Sequence, residues 1–421
     1  MNPSHPSDVV GSASLPSAAE PPQRLPLAAR GVVAMLHRIS LGRLELRLPD
    51  GRLLHFGAHA WTAPAASVTV HDWSVFARLL RRGGIGLAES HFSGLWSTPD
   101  LAGLLRLLLA NRAALERGLR GSWLGTALDR LRHALLRRNT RAGSRDNIHA
   151  HYDIGNEFYR LWLDPGMTYS AAWFQHPQMT LEQAQAAKLE RVLQQLQLEA
   201  GAQVLEIGCG WGSFAETAAR AGLRVDGITL SQQQLEFAQA RLRDAGVDDR
   251  ARLHLLDYRD AATLAPAAGF DAIASIEMIE AVGEAYWPTY FDTLARLLKV
   301  GGRACIQTIT IDDARFARYR RGTDFIQRYI FPGGMLPSKR AFAEQARRAG
   351  LEIVAAHEFG ADYARTLALW RERFVAGLEQ VRALGFDRRF ERLWEFYLAY
   401  CEAGFAVGTI DVVQYTLRRN A

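Results

Sequence analysis

At 421 residues the chain is longer than one hydrophobic core usually organises, so two domains are expected. With 48% hydrophobic and 22% charged residues it is a folded globular chain, which excludes a fibrous or wholly disordered one. The net charge of +6 suits an anionic partner, a phospholipid surface or a nucleic acid, and decides nothing about fold. Cys209, Cys305 and Cys401 stand far apart with no metal-ligand spacing, which fits a reducing cytoplasm. The most apolar stretch, Leu101 to Leu115, is interrupted by Arg106 and Arg112 and falls short of the ~20 residues a membrane span needs. The N-terminus has no charged segment followed by an apolar run, so no secretory signal is expected and any membrane work takes place at the surface.

In chain order, residues 1–28 are rich in Ser, Pro and Ala and read as a disordered tail, with order beginning near Gly31. Leu44 to Leu48 alternates apolar and charged residues, and Pro49-Asp50-Gly51 turns it into Leu53 to Phe56, a hairpin. Val68-Thr69-Val70 suggests another strand. Val75, Phe76, Leu79 and Leu80 mark one face of a short helix ending at Gly83-Gly84. Thr98-Pro99-Asp100 then opens a leucine-rich helix, with Thr98 as N-cap and Pro99 at the first helical position. Residues 29–115 thus form a small α+β domain without an evident catalytic constellation. Residues 116–146 are a basic helical linker, in which Arg117, Arg120, Arg130, Arg132, Arg137, Arg138, Arg141 and Arg145 interleave with Leu124, Leu128, Leu131 and Leu135. An amphipathic segment on anionic headgroups and a solvated linker fit this pattern equally well. The run His149 to Tyr159 lacks metal-ligand spacing, so no metal is expected, and a segment folding over a cofactor is the better reading.

Thr180 and Gln183 form a capping box for a helix with Leu189, Val192, Leu193 and Leu196 on one face, ending at Gly201. Strands at 203–207, 223–228, 252–255, 270–276, 303–309 and 351–358 then alternate with helices at 213–221, 231–244, 287–298 and 339–348. This alternation implies an α/β fold with a doubly wound, mostly parallel sheet. Ligands of such sheets sit at the carboxyl ends of the strands, so Gly208, Thr229, Asp257 and Glu277 to Glu280 should converge on one crevice. The turn Gly208-Cys209-Gly210-Trp211-Gly212 follows a strand and precedes a helix, and it lacks the third glycine of the dinucleotide pattern because position 213 is Ser. With Glu206 ahead of it and Thr229-Leu230-Ser231 behind, S-adenosylmethionine is the expected ligand. Glu206 is placed to reach a ligand ammonium or to fix the turn's amides, and Gly208 and Gly210 leave room for the amino-acid portion. Thr229 and Gln234 are preferred to Asp226 at the strand end, although Ser231 and Gln234 also look like helix capping. Asp257, followed by Tyr258, is placed to accept the adenine amino group.

These blocks together resemble the cyclopropane-fatty-acyl-phospholipid synthases, a branch of the class I S-adenosylmethionine-dependent methyltransferases with a Rossmann-like fold. The similarity runs from about residue 31 to 418 and includes LPDGRLLHFG, HYDIGNEFY, MTYS, VLEIGCGWGSF, ITLSQQQ, LLDYRD, EMIEAVG, DFIQRYIFPGGMLPS, HEFGADYARTLALW and YLAYCEAGF. It implies a lipid-binding and dimerisation role for the N-terminal domain, catalysis in residues 147–421, a homodimer, and peripheral attachment to the inner face of a membrane. It further implies that Tyr169, Ser170 and Cys209 join the cofactor site. The alkene of an unsaturated phospholipid acyl chain attacks the sulfonium methyl, and bound bicarbonate takes a proton as a cyclopropane closes. The family's bicarbonate cradle maps onto Glu280, the backbone at Ile309 and Tyr363, and Cys401 falls on its C-terminal cysteine, where a buried structural thiol is equally compatible. Aromatic residues Trp370, Phe374, Trp394, Phe396, Tyr397 and Tyr400 are expected to be mostly core, with a minority lining the acyl pocket. Arg318, Arg320 and Arg321 are candidate headgroup contacts.

The chain departs from the bacterial pattern at Ala171, Ala281 and Gln307, where Cys, His and His are expected. Gln307 keeps hydrogen-bonding capacity toward bicarbonate but cannot change charge near neutral pH. The alternative outcome is therefore a methylene- or methyl-branched chain, the latter with a reductase partner. A nucleic-acid partner is not expected, because no Asp/Asn-Pro-Pro-Tyr motif is present.

Overall fold

Seven strands carry the C-terminal part of the chain in the computed structural model, which describes residues 24–57, 65–116 and 154–420. The tail through residue 23, the arginines of the basic linker, and His149, His151 and Asp153 lie outside the described residues. The strands are β5 (Gln203–Ile207), β6 (Arg224–Thr229), β7 (Ala251–Leu255), β8 (Phe270–Ile276), β9 (Leu298–Ile311), β10 (Leu351–Glu358) and β11 (Ile410–Arg419), in the order β10-β11-β9-β8-β5-β6-β7. From β7 to β9 all neighbours are parallel, and β11 runs antiparallel to both β9 and β10. This is the doubly wound, mostly parallel sheet that the alternating pattern implied. Its two faces are covered by different helices. Leu189, Val192, Phe214 and Leu235 pack on Val204, Val225 and Leu253 on one side. Phe291, Leu294 and Phe342 pack on Leu205, Ile207, Ile273 and Leu417 on the other.

β11 stands outside the expectations, which placed no strand after residue 358. Its run Val412 to Leu417 is buried throughout, so it reads as a central strand without alternation, and its position between β9 and β10 explains why. The capping box is present, with Thr180 Oγ1 accepting from Gln183 N at 3.2 Å, and the helix it opens, Leu181–Leu196, stops at a left-handed Gln197 before Gly201.

The N-terminal unit is a four-stranded sheet, β2-β1-β3-β4, with β1 (Arg43–Arg47), β2 (Leu53–Gly57), β3 (Ala65–Val70) and β4 (Trp96–Ser97). The hairpin pairs Leu46 with Leu54, and β3 lies parallel to β1. Three expectations need correction here. Order begins before Gly31, because Leu27–Leu36 is a helix burying Ala29, Val32 and Leu36 at helical spacing. The helix at Ser74 does not end at Gly83: it breaks there (φ 55°, ψ −133°) and continues to Phe92, since Ala88 and Phe92 complete a second buried face. The N-cap of helix Leu101–Ala110 is Asp100, which accepts from Gly103 N at 2.8 Å, while Thr98 Oγ1 donates to Ser67 O at 2.6 Å.

The two parts share one apolar core. Leu101, Leu104 and Leu105 join Trp370, Phe374, Trp394 and Phe396 of the helices Gly360–Ala376 and Arg388–Ala406 in a single cluster. Buried Glu402 ties the seam, receiving Arg106 Nη1 at 3.0 Å from the N-terminal unit and Arg371 Nε at 2.9 Å.

Candidate active site

The turn after β5 is held open by its glycines. Gly208, Gly210 and Gly212 all take positive φ (86°, 50° and 85°), a region costly for residues with a Cβ. The amides of Gly208 and Cys209 both donate to Ile228 O at 2.9 Å, which fixes the turn to the end of β6. A Cβ on Gly208 would lie 3.0 Å from Met278 Cγ, so the turn faces the end of β8 across a narrow gap. Thr229, at the end of β6, donates from Oγ1 to Gln234 Oε1 at 3.1 Å, and Ser231 Oγ caps the following helix. Both Thr229 and Gln234 line the crevice, whereas Asp226 bonds His254 Nε2 at 3.1 Å and does not. Asp257 is occupied otherwise than expected: its carboxylate accepts Arg259 N, Nε and Nη2 at 3.0, 2.7 and 2.6 Å, and Tyr258 rather than Asp257 lines the crevice. Cys209 is buried beside the turn, and burial raises its thiol pKa well above the ordinary value.

Beneath the turn lies a set of buried charges. Glu206 is 3% exposed, its Oε2 has no hydrogen-bond partner among the described residues, and burial raises its pKa to about 8. Lys188 is fully buried and donates from Nζ to Ser170 Oγ at 2.7 Å. Burial lowers its pKa to about 8, against the attraction of Glu277, Asp164 and Glu206. Glu277 sits at positive φ (52°) just past β8. Its Oε1 accepts Ala171 N at 2.8 Å and Gln307 Nε2 at 2.7 Å, and its Oε2 accepts Tyr363 Oη at 2.8 Å.

Glu280, on the short helix Ile279–Val282, directs Oε1 to Ile309 N and to Thr308 Oγ1 at 3.0 Å. Its Oε2 is buried with no partner among the described residues, and burial together with the nearby Glu277 charge raises its pKa to about 8. Two details differ from the implied cradle. Tyr363 Oη donates to Glu277, so its hydroxyl is engaged by a carboxylate other than Glu280. Gln307 does not reach the crevice: it bridges Glu277 and Gln414, whose Nε2 donates to Gln307 Oε1 at 2.9 Å. Its action is therefore to position Glu277.

A cavity of about 690 Å³ joins these groups, running from the glycine turn past Glu280, Ile309 and Tyr363 to the segment 312–335. Tyr169 lines it with its hydroxyl 2.7 Å from that of Tyr397, and Ser170 and Cys401 line it as well. The Cys401 thiol is pushed far up by burial and then by Asp324, so it stays protonated. Of the C-terminal aromatics Tyr397 and Tyr400 are in the wall, while Trp370, Phe374, Trp394 and Phe396 are core. Arg318 is in the wall; Arg320 instead pairs with Glu284 at 2.5 Å.

Sequence reasoning missed the roles of Glu277 and Lys188. Lys188 had a legible signal, a charged residue within the buried stripe Leu181, Ala184, Lys188, Val192 of an amphipathic helix. Glu277 had none beyond its place after a strand, because its role depends on a left-handed backbone and on partners from three distant elements.

Similarity to known proteins extends over most of the chain. A family model described as mycolic acid cyclopropane synthetase matches residues 139–415. A tuberculostearic acid methyltransferase of Mycobacterium tuberculosis is 39% identical over 99% of this chain and 97% of that protein. A cyclopropane-fatty-acyl-phospholipid synthase of Escherichia coli is 36% identical over 85% of this chain and 89% of that one. The crystal structure of a mycolic acid cyclopropane synthase complexed with SAH and CTAB superposes with a TM-score of 0.60 at 33% identity, covering 65% of this chain and 98% of the other.

Proposed function

Because the chain belongs to the cyclopropane synthetase family of S-adenosylmethionine-dependent methyltransferases, we propose that it methylates the cis double bond of an unsaturated phospholipid acyl chain and closes a cyclopropane ring. The observation that carries this reading is the single cavity. It holds a positive-φ glycine turn at one end, the unpartnered Oε2 of Glu280 in the middle and an apolar compartment beyond. S-adenosylmethionine fits the first part: Glu206 offers an ammonium a buried carboxyl oxygen that has no partner among the described residues, and a Cβ on Gly208 would crowd Met278.

The cofactor supplies an electrophilic methyl group on a sulfonium. An alkene is a weak nucleophile, so the residues of the wall must hold it in line and exclude water. Ile309, Leu367, Phe405 and Ile410 provide the apolar lining, and the faces of Tyr397 and Tyr400 suit transient positive charge on the acyl chain. That charge is relieved when the chain gives up a proton to a bound base. Bicarbonate fits beside Glu280 Oε2, which has no partner among the described residues and, with the Glu280 pKa raised to about 8, carries a proton to donate near neutral pH. Glu277 holds Tyr363 on the same side, and Gln307 fixes Glu277.

A second reading has its own support. Gln307 is neutral and bound on both sides, Ala171 offers only its backbone amide, and a tuberculostearic acid methyltransferase matches the chain almost end to end. A methylene branch follows if a 1,2-hydride shift first moves the positive charge to the carbon that carries the new methyl and that methyl then loses its proton, and a methyl branch follows if a reductase partner reduces the methylene. Proton NMR of acyl products from cis-unsaturated phospholipid vesicles decides between them. High-field ring protons are expected, and vinylidene protons without them would establish the branched product. We further propose that it acts at the inner membrane face as a peripheral homodimer; among the described residues no helix is long and apolar enough to cross a membrane.

A further inference from the structure

The far end of the cavity carries charges that methyl transfer does not use. Its wall there is formed by Arg112 and Glu116, the end of the described N-terminal unit, and by Arg315, Arg318 and Asp324 from the segment after β9. Glu116 sits between two guanidiniums: Oε1 lies 2.5 Å from Arg112 Nε, and Oε2 takes Arg318 Nη1. Arg315 borders the same space, close enough to Tyr400 to act on it electrostatically, and pairs with no carboxylate among the described residues. Asp324 is turned to structural work, capping the helix Phe325–Tyr329 through Gln327 N at 2.8 Å. The Arg318 and Arg112 side chains are 70% and 43% exposed, so this end opens to solvent, while Ile311, Ile326 and Phe331 line the space just inside.

The order from outside to inside is cationic, apolar, then catalytic, which matches an amphiphile with an anionic head. A carboxylate held by two guanidiniums also occupies the position that a phosphate diester would take, since both present two oxygens to planar N–H pairs. Resting on the reading that an acyl chain fills the apolar part, we propose that Arg112, Arg315 and Arg318 form a phosphate site at the cavity opening for a phospholipid headgroup, with Glu116 as the internal anion it displaces. The N-terminal unit then supplies part of the substrate site, through Arg112 and Glu116. Substrates whose acyl chain is attached to no phosphate near the glycerol lose these contacts.

The site can be read without turnover, by calorimetry of the full chain with dihexanoyl phosphatidylglycerol below its micelle concentration. Wild type is expected to bind it. Arg315→Gln and Arg318→Gln should each weaken binding about tenfold or more, the loss of a charge-assisted hydrogen bond. Glu116→Gln should tighten it by removing the competing anion, and retained S-adenosylhomocysteine binding shows that each variant is folded. The proposal is overturned if wild type does not bind, if the arginine variants bind as wild type does, or if they weaken uncharged dihexanoylglycerol by the same factor. Inorganic phosphate binding as tightly as the lipid would mark a free-phosphate site and also overturn the lipid assignment. Headgroup binding lost in the variants, with no acyl product from wild type, would uphold this site while removing the methyl-transfer reading.

Discussion

Replacing Glu280 by Gln is expected to lower product formation by about 10²- to 10⁴-fold, the range for loss of a positioned acid–base group, while S-adenosylhomocysteine still binds. Gln keeps an oxygen for Ile309 N and Thr308 Oγ1, so the local fold is preserved. What changes is the other arm of the side chain. In wild type Oε2 is buried without a partner among the described residues, in a site where burial and Glu277 hold the proton on. An amide there can donate a hydrogen bond but cannot exchange that proton with a bound base. The effect should therefore fall on turnover and spare cofactor affinity, which is set at the glycine turn. Turnover equal to wild type in this variant would remove Glu280 from the mechanism.

The second large effect is expected at Lys188, and it runs against intuition about buried salt bridges. Moving its pKa from 10.5 to about 8 means that the buried ammonium is disfavoured, by roughly 3 kcal/mol, even after the attraction of three carboxylates. That penalty is fully present below about pH 8 and fades as pH rises toward the unfolded value of 10.5, because only the unfolded chain then holds the proton. Lys188→Met should thus match or exceed wild type in thermal stability at pH 7. Function should suffer instead. Lys188 is the charge that draws the Glu206 pKa down, so without it the ionised form of Glu206, already the minor one at neutral pH with a pKa of about 8, becomes rarer still and offers less anion to the cofactor ammonium. A loss of about tenfold in S-adenosylhomocysteine affinity corresponds to one further pKa unit on Glu206. Calorimetry and a melting curve on the same variant test both halves. A destabilised protein with unchanged cofactor affinity would contradict the account.

The sheet was legible because its strands and helices are local patterns. Phe270–Ile276 and Leu351–Glu358 are found where apolar runs place them, and the box at Thr180 and Gln183 is a short-range device. The glycine turn was legible for the same reason, since positive φ at alternate positions leaves its mark in the sequence. Legibility failed where two distant segments decide the outcome. The helix from Ser74 continues past Gly83 because of packing against the C-terminal helices, which no local signal at Gly83-Gly84 reports. Asp257 reads as an adenine contact until Arg259 is seen folded back on it. Tyr363 and Gln307 both read as groups near the reaction, yet only Tyr363 lines the cavity, and both bond Glu277 through contacts among β8, β9, β11 and the helix Gly360–Ala376.

Transfer of a carbon from S-adenosylmethionine to an acyl double bond is the central claim, and the most direct measurement follows that carbon. The full chain is incubated with vesicles of cis-unsaturated phospholipid and S-adenosylmethionine labelled with carbon-13 in its methyl group, and the extracted lipid is read by carbon–proton correlation NMR. The label is expected in a new carbon joined to the former alkene carbons of the acyl chain. Label on a headgroup nitrogen, or cofactor consumption with no label in the acyl chain, would contradict the account.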